Sequence, residues 1–531
     1  VTAAAPRALT VLLAGDPLPD ALTGRVTQVR VAARLNRPTQ CEVTLSVAPG
    51  AAALTGPVHV GATLDVRLDG QPETLFTGEV TAVEVEYAAD GAATLRVRAY
   101  DALHRLRKRQ RLRVFESVTA ADLAAELCAD LGLTVDAEDE GPRLDRLPHH
   151  RPSDLDLLLE VTGRAGLHLS VDGDVLRLLT LDGHGAAIPL ELGRDVHGLR
   201  LSVNSDTAVG DSAALGWHPQ RAEAIAQRAG TPRCGRDTPV NPDPADVGAD
   251  GTRTALDQPG RSDDEIAALA QARLDARAAA LVTAEGTAEG DPALRPGRRI
   301  RLTGVAEAVA GTYVLTEVVH ILDANGHLSR FSTAPPPAPP AGPPAPAVVT
   351  LGTVTDVADP DGLGRVRVEL PAYGGADAGW LAVLCPGAGR GKGLVALPDP
   401  QDSVLVALPG GEPASGVVLG SLFGTVEPYD TGVDDGRARR WSLRTAGGQQ
   451  VVVDDVARSL RLSTDAGSWL ELTPQLATLH AASDLVLSAP GRAMVVRARS
   501  IDFLHAEAAE DAETAAERAR SLARAHHEGG G

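Results

Sequence analysis

Between Val451 and Phe503, apolar residues recur in pairs two positions apart: Val451/Val453, Leu460/Leu462, Leu470/Leu472, Leu485/Leu487, Met494/Val496 and Ile501/Phe503. With the single Leu479, the closing positions 462, 472, 479, 487, 496 and 503 step by 10, 7, 8, 9 and 7 residues. Residues two apart share one face of a strand, and a period of about eight marks a β-solenoid or prism. Strands this short, with one apolar face, cannot enclose a core within a single chain. Other copies must supply the remaining walls. Three chains forming a triangular prism is the simplest closed solution, because ring symmetry leaves no free edge. These thirteen side chains are therefore the candidate trimer core of a needle spanning 437–503.

The rest of the chain divides around "PPPAPPAGPPAPA" (335–347), which reads as an extended polyproline-type spacer. Before it lies mixed α and β sequence. Alternating runs predict strands at 25–35, 41–47, 62–68, 77–87, 93–100, 298–305 and 311–322. Thr119, Ser153 and Ser262 are helix caps, the last with Glu265 in a capping box, while Gly132 and Gly166 are stops. The polar stretch 230–261 reads as a long loop. From 348 to 427 short strands crowd between Gly and Pro, five or six of them, which suits a small closed barrel. "DPDGLGRVRVEL" (359–370) opens it: a turn using Asp361-Gly362 and Gly364 at positive φ. A strand follows with Val366, Val368 and Leu370 on one face and Arg365, Arg367 and Glu369 on the other. Residues 504–531 form an Ala-rich helix with early acids and late arginines, and too few large side chains to pack firmly by itself.

Composition narrows the function. The 531 residues allow three or four domains, and the formal charge of −20 repels phosphate backbones and anionic lipid. Nucleic acid is thus not an expected partner, and the barrel lacks the basic groove with interleaved aromatics that single strands need. Cys41, Cys128, Cys234 and Cys385 are scattered, which fits a reducing compartment without disulfides or zinc. "ALTVLLAG" (8–15) is too short for a secretory segment, so cytoplasmic synthesis is expected.

No chemistry is nominated. His149-His150 reads as a polar loop rather than a metal site, since adjacent histidines share no helix face. His526-His527 would gather ligands only through threefold symmetry. "GAGRGKG" (387–393) departs from the phosphate-loop pattern after Lys392. Asp263-Asp264 is explained by a helix start and Asp454-Asp455 by a turn. No cofactor and no catalytic residue is expected. The rival reading is a trimeric tailspike hydrolase acting on surface glycan, which would need paired acids in a cleft.

Five segments in order resemble the valine-glycine repeat spike proteins (VgrG) of contractile injection systems. They are "RLRVFESVTAADLAAELCADLGL" (111–133), "RPSDLDLLLEVTGRAGLHLSVDGDVLRLL" (151–179), "LRPGRRIRLTGVAEAVAGTYVLTEVVHILDANGHLSRFST" (294–333), "DPDGLGRVRVEL" (359–370) and "LPDPQDSVLVALPGGEPASGVVLGSLFG" (397–424). Asp402 stands where that family usually has glycine. The resemblance implies a mainly β chain with some α: a hub of tandem β-barrels at 1–334, an oligonucleotide-binding (OB) type neck barrel at 348–427, a trimeric β-prism needle and a terminal helix. It implies a homotrimeric central spike that seats an inner tube, contacts baseplate proteins and carries a PAAR-type tip protein or effector cargo. Residues 425–440 leave no room for the lysozyme domain of some phage relatives, so no enzyme is expected. The terminal helix either docks a tip or cargo protein or simply ends the chain.

Overall fold

The structure, a computed structural model, describes residues 9–47, 58–71, 73–218, 223–248, 251–258, 260–337, 346–501 and 503. Residues 338–345 of the expected spacer lie outside the described residues, as does the expected helix 504–531 with His526-His527. The chain divides into two compact units, one up to Leu422 and one from Phe423 onward.

The first unit is built on one eleven-stranded sheet. Its order runs from the strand Val196–Val203 through Val282–Glu289, Gly326–Ser332, Glu317–Asp323, Val26–Arg34, Arg37–Val47, Ala93–Tyr100, Thr74–Tyr87, Thr63–Leu68 and Leu9–Leu13 to Asp16–Pro17. Hydrogen bonds join its two halves through the pairing of Glu317–Asp323 with Val26–Arg34. Each half nevertheless has its own core, one around Val43, Leu64 and Val97, the other around Leu190, Ile300 and Tyr313. Alternation sets this up, since Ala93–Tyr100 is buried at every second residue.

A third core belongs to an α+β insertion. Thr119 caps Ala120–Cys128 in a full capping box with Asp122, whereas at Ser262 the expected box is incomplete, the Glu265 carboxylate accepting from the Arg261 N–H at 3.3 Å. Ser153 caps Asp154–Ala165, which Gly166 ends at φ +72°. Leu123, Leu127, Leu157 and Leu158 meet between these helices. The helix Asp263–Ala280 covers a further sheet of Asp211–His218, Glu223–Ala229 and Thr252–Gln258. That last strand corrects the reading of 230–261 as loop throughout. It pairs parallel to Asp211–His218, and its exposed Thr and Arg side chains hid the alternation.

Several hub histidines are buried neutral. Burial holds His320 down to about 3, and His104 and His168 down to about 4. Below pH 6.5 the unfolded chain takes up these protons and the folded one does not, so stability falls with pH. Asp101, raised to about 6 by burial, offsets part of this, as do Glu265 and Asp275, which burial also raises. Stability should decline from pH 6 to pH 5, measurable as a falling urea midpoint.

After the spacer, Val348–Asp356, Val366–Leu370, Ala376–Val383, Val417–Leu422 and Ser403–Leu408 close into a five-stranded barrel. Val354, Val366, Val368, Leu370, Leu381, Val404, Val406 and Val418 fill it. Arg365 is not on a solvent face: it is 8% exposed and is held by Asp359 and Asp361. Gly362 and Gly364 take the positive φ angles and Asp361 does not. At the glycine-like position, the Asp402 carboxylate accepts the Asp399 N–H at 2.9 Å, and its neighbour Gln401 adopts φ +78°.

The second unit begins with a two-residue hairpin, Val433–Asp434 with Arg437–Ala438, turned by Asp435 and Gly436 at positive φ. A five-stranded antiparallel meander follows: Arg440–Arg444, Gln450–Asp454, Ser459–Ser463, Trp469–Leu472 and Ala477–His480. From 440 to 480 these strands pair within one chain.

Candidate assembly surface

The meander is organised by polar turns. Asp454 Oδ1 accepts the N–H groups of Val456 and Ala457 at 2.8 Å, so Asp454 does close a turn. Thr445, Thr464 and Thr473 close the other three through their hydroxyls. Asp430 grips Arg440 at 2.8 and 3.0 Å where the chain enters the sheet.

Register then sorts the side chains. Leu443, Val451, Leu462, Leu470 and Leu479 stand opposite one another across all five strands. Trp441, Val453, Leu460, Leu472 and Ala477 form a parallel row on the same face. The opposite face carries Ser442, Val452, Arg461, Glu471 and Thr478, with Arg461 over the Trp469 ring at 4.9 Å and Trp469 stacked on His480. One side of the sheet is thus made for water and the other for a dry neighbour.

Among the described residues, this unit supplies no neighbour to that face. Leu443 is 51% exposed, Trp441 75% and Leu479 54%. Among the described residues from 423 onward, Trp469 is the one hydrophobic side chain that is buried. An open trough of about 540 Å³ runs along Leu443, Val451, Leu462, Leu470 and Leu479 to Leu485. A single sheet with one uncovered apolar face does not meet the requirement for independent stability.

The structure brings together seven of the thirteen candidate residues: Val451, Val453, Leu460, Leu462, Leu470, Leu472 and Leu479. Leu485, Leu487, Met494, Val496, Ile501 and Phe503 lie in chain without strands and are exposed. Trp441 and Leu443 were missed, although "RWSLR" carries the same two-residue spacing.

The other candidates resolve as structural groups. His149 is not a loop residue in water. Its Nε2 meets Asp154 Oδ1 at 3.0 Å, both side chains being fully buried, while His150 Nδ1 lies 3.0 Å from the Pro148 carbonyl. Asp263 accepts from Gln227 beside the Ser262 cap. "GAGRGKG" is a loop pinched between Gly389 and Lys392, with no helix after it. Among the described residues, no three His, Cys, Asp or Glu side chains are placed to hold a metal, and no helix is long and apolar enough to cross a membrane. Cys41 and Cys128 are buried, and burial pushes the Cys128 thiol up to about 11.

Comparison with known proteins settles the family. The profile of the phage tail baseplate hub (GPD) family matches residues 32–326, more than half of the chain. The chain belongs to the phage tail baseplate hub family. The barrel, residues 350–423, matches the type VI secretion system/phage-baseplate injector OB domain. Among solved structures, a chain of the Francisella PdpA–VgrG complex in its lidded form superposes with a TM-score of 0.54 at 8% identity, covering 90% of this chain and 81% of that one. The E. coli c3393 protein is described as a type VI secretion component with structural similarity to the T4 bacteriophage tail proteins gp27 and gp5. It gives 0.51 at 13% identity, covering 78% of this chain and 99% of its own. At these identities the likeness is one of fold. No curated protein matches the chain.

Proposed function

We propose that this hub-family chain is the homotrimeric central spike of a contractile injection system. In this reading residues 1–334 form the hub that seats the inner tube and contacts the baseplate, 335–347 a spacer and 348–427 the neck barrel. Residues 437–503 form a puncturing needle, and 504–531 a terminal segment for a PAAR-type tip protein or effector cargo. Assembly takes place in the cytoplasm within a phage tail-like particle. The observation that carries the reading is the two-row apolar face of the meander, built in register and left uncovered among the described residues. Three such faces turned inward give a prism with a dry axis and the polar faces outward. Leu485 to Phe503 then gain their hydrogen-bonding partners from the neighbouring chains.

Force transmission, not catalysis, is the mechanism: sheath contraction drives tube and needle through the target envelope. Electron microscopy of particles whose spike chain stops at residue 427 should show the needle density missing and envelope puncture lost. Unchanged needle density would assign the needle to another protein. Hydrolysis of purified cell wall or surface glycan by the intact chain would contradict the non-enzymatic reading.

A further inference from the structure

The spacer suggests a loosely tethered barrel, yet hub side chains enter notches in the barrel at two points. Arg146, on the hub strand Leu144–Pro148, donates from Nε to the Asp377 carbonyl at 3.0 Å and pairs with the Asp377 carboxylate at 2.8 Å. Its third contact is Glu116, at 2.6 Å on the adjoining hub strand. Asp377 is held from the barrel side by Arg367 at 2.8 Å. The Arg146 stem passes over Gly379, where a Cβ would come within 3.0 Å of its Cδ. The second point is Leu112, lying over Gly374, where a Cβ would stand 2.5 Å from Leu112 Cδ1. Gly374 and Gly379 also have φ of +70° and +81°, so glycine is required there by conformation as well as by the visitor. Around these points Arg164 reaches Glu412 at 3.4 Å, and the rings of His150 and Tyr373 lie 6.3 Å apart.

We propose that the neck barrel is locked onto the hub by a two-point key, Arg146 in the Gly379 notch and Leu112 over Gly374. The key fixes the barrel's orientation without help from the Pro-rich spacer. Each notch accepts its visitor in one pose, and the bidentate grip on Asp377 fixes direction as well as position. Load then passes between barrel and hub through packed side chains, and the spacer serves only to keep the two together during folding.

The test places a protease site within residues 338–345 of the full chain. After cleavage the hub and the barrel-bearing fragment should elute together. Separation at physiological salt would overturn the proposal. Arg146→Glu sets a carboxylate against Asp377 and Glu116 and leaves the barrel sequence untouched. Its cleaved fragments should elute apart, with a loss of at least tenfold in affinity, while the barrel's thermal transition stays in place. Co-elution equal to that of the unsubstituted chain would show that Arg146 is not the key. A barrel fragment that separates yet stays trimeric overturns the lock and leaves the spike reading standing.

Discussion

Leu470→Asp combined with Leu472→Asp is expected to leave the chain monomeric while its first unit melts unchanged. The two residues occupy neighbouring rows of the apolar face, opposite Leu462 and Leu460 on one side and Leu479 and Ala477 on the other. A fully buried Leu contributes about 1.5–3 kcal/mol. A trimer loses six of them in this variant and must place six carboxylates near a dry axis, where no basic residue of that face can pair them. The hub and barrel cores contain neither residue, so their unfolding transition should not move. Sedimentation equilibrium reads the mass and calorimetry the transition. A double variant of unaltered mass would mean that the apolar rows do not face the interior. Ser442→Asp, on the opposite face, is the control and should assemble normally.

Arg365→Met should unfold the barrel more readily than any single apolar truncation on its surface. Asp359 is 3% exposed at its side chain and takes hydrogen bonds from Arg365 Nε at 3.0 Å and Nη2 at 2.5 Å, and from the Leu363 N–H at 2.9 Å. Removing the guanidinium leaves the carboxylate its backbone N–H donors but takes away its counter-charge and two charge-assisted hydrogen bonds, which costs about 1.5–3 kcal/mol. The Arg365 hydrogen bonds hold the Asp359 carboxyl far below the usual carboxylate range. Its contribution is therefore present above the ordinary aspartate range near pH 4 and fades as pH falls below it. In the substituted chain that acid dependence should flatten. Calorimetry at pH 7 and pH 3 separates the two, and an unchanged barrel midpoint at pH 7 would show that the latch is ornamental.

Local signals in the sequence were legible wherever one chain satisfies them. Thr119, Ser153 and Ser262 cap helices because their hydroxyls need only a backbone N–H three residues on. The alternation of 93–100 became a strand buried on one face. What depends on partners distant in sequence was not legible. Thr252–Gln258 is a strand because Asp211–His218 lies beside it, and its own residues carry no apolar rhythm. The eleven-stranded sheet depends on one pairing, between 317–323 and 26–34, which joins segments from opposite ends of the hub sequence. Arg365 reads as a solvent residue from its neighbours and is buried by a loop acid six positions away. In the candidate site the pair spacing disclosed the shared face from 451 to 479. It did not disclose that these strands pair within one chain, because spacing is blind to which chain supplies the partner.

The mass of the purified 531-residue chain tests the central claim most directly. Light scattering at physiological salt should give three times the 54.8 kDa of one chain, with no monomer on dilution into the micromolar range. A stable species of one chain's mass, with its meander still folded, would contradict the account.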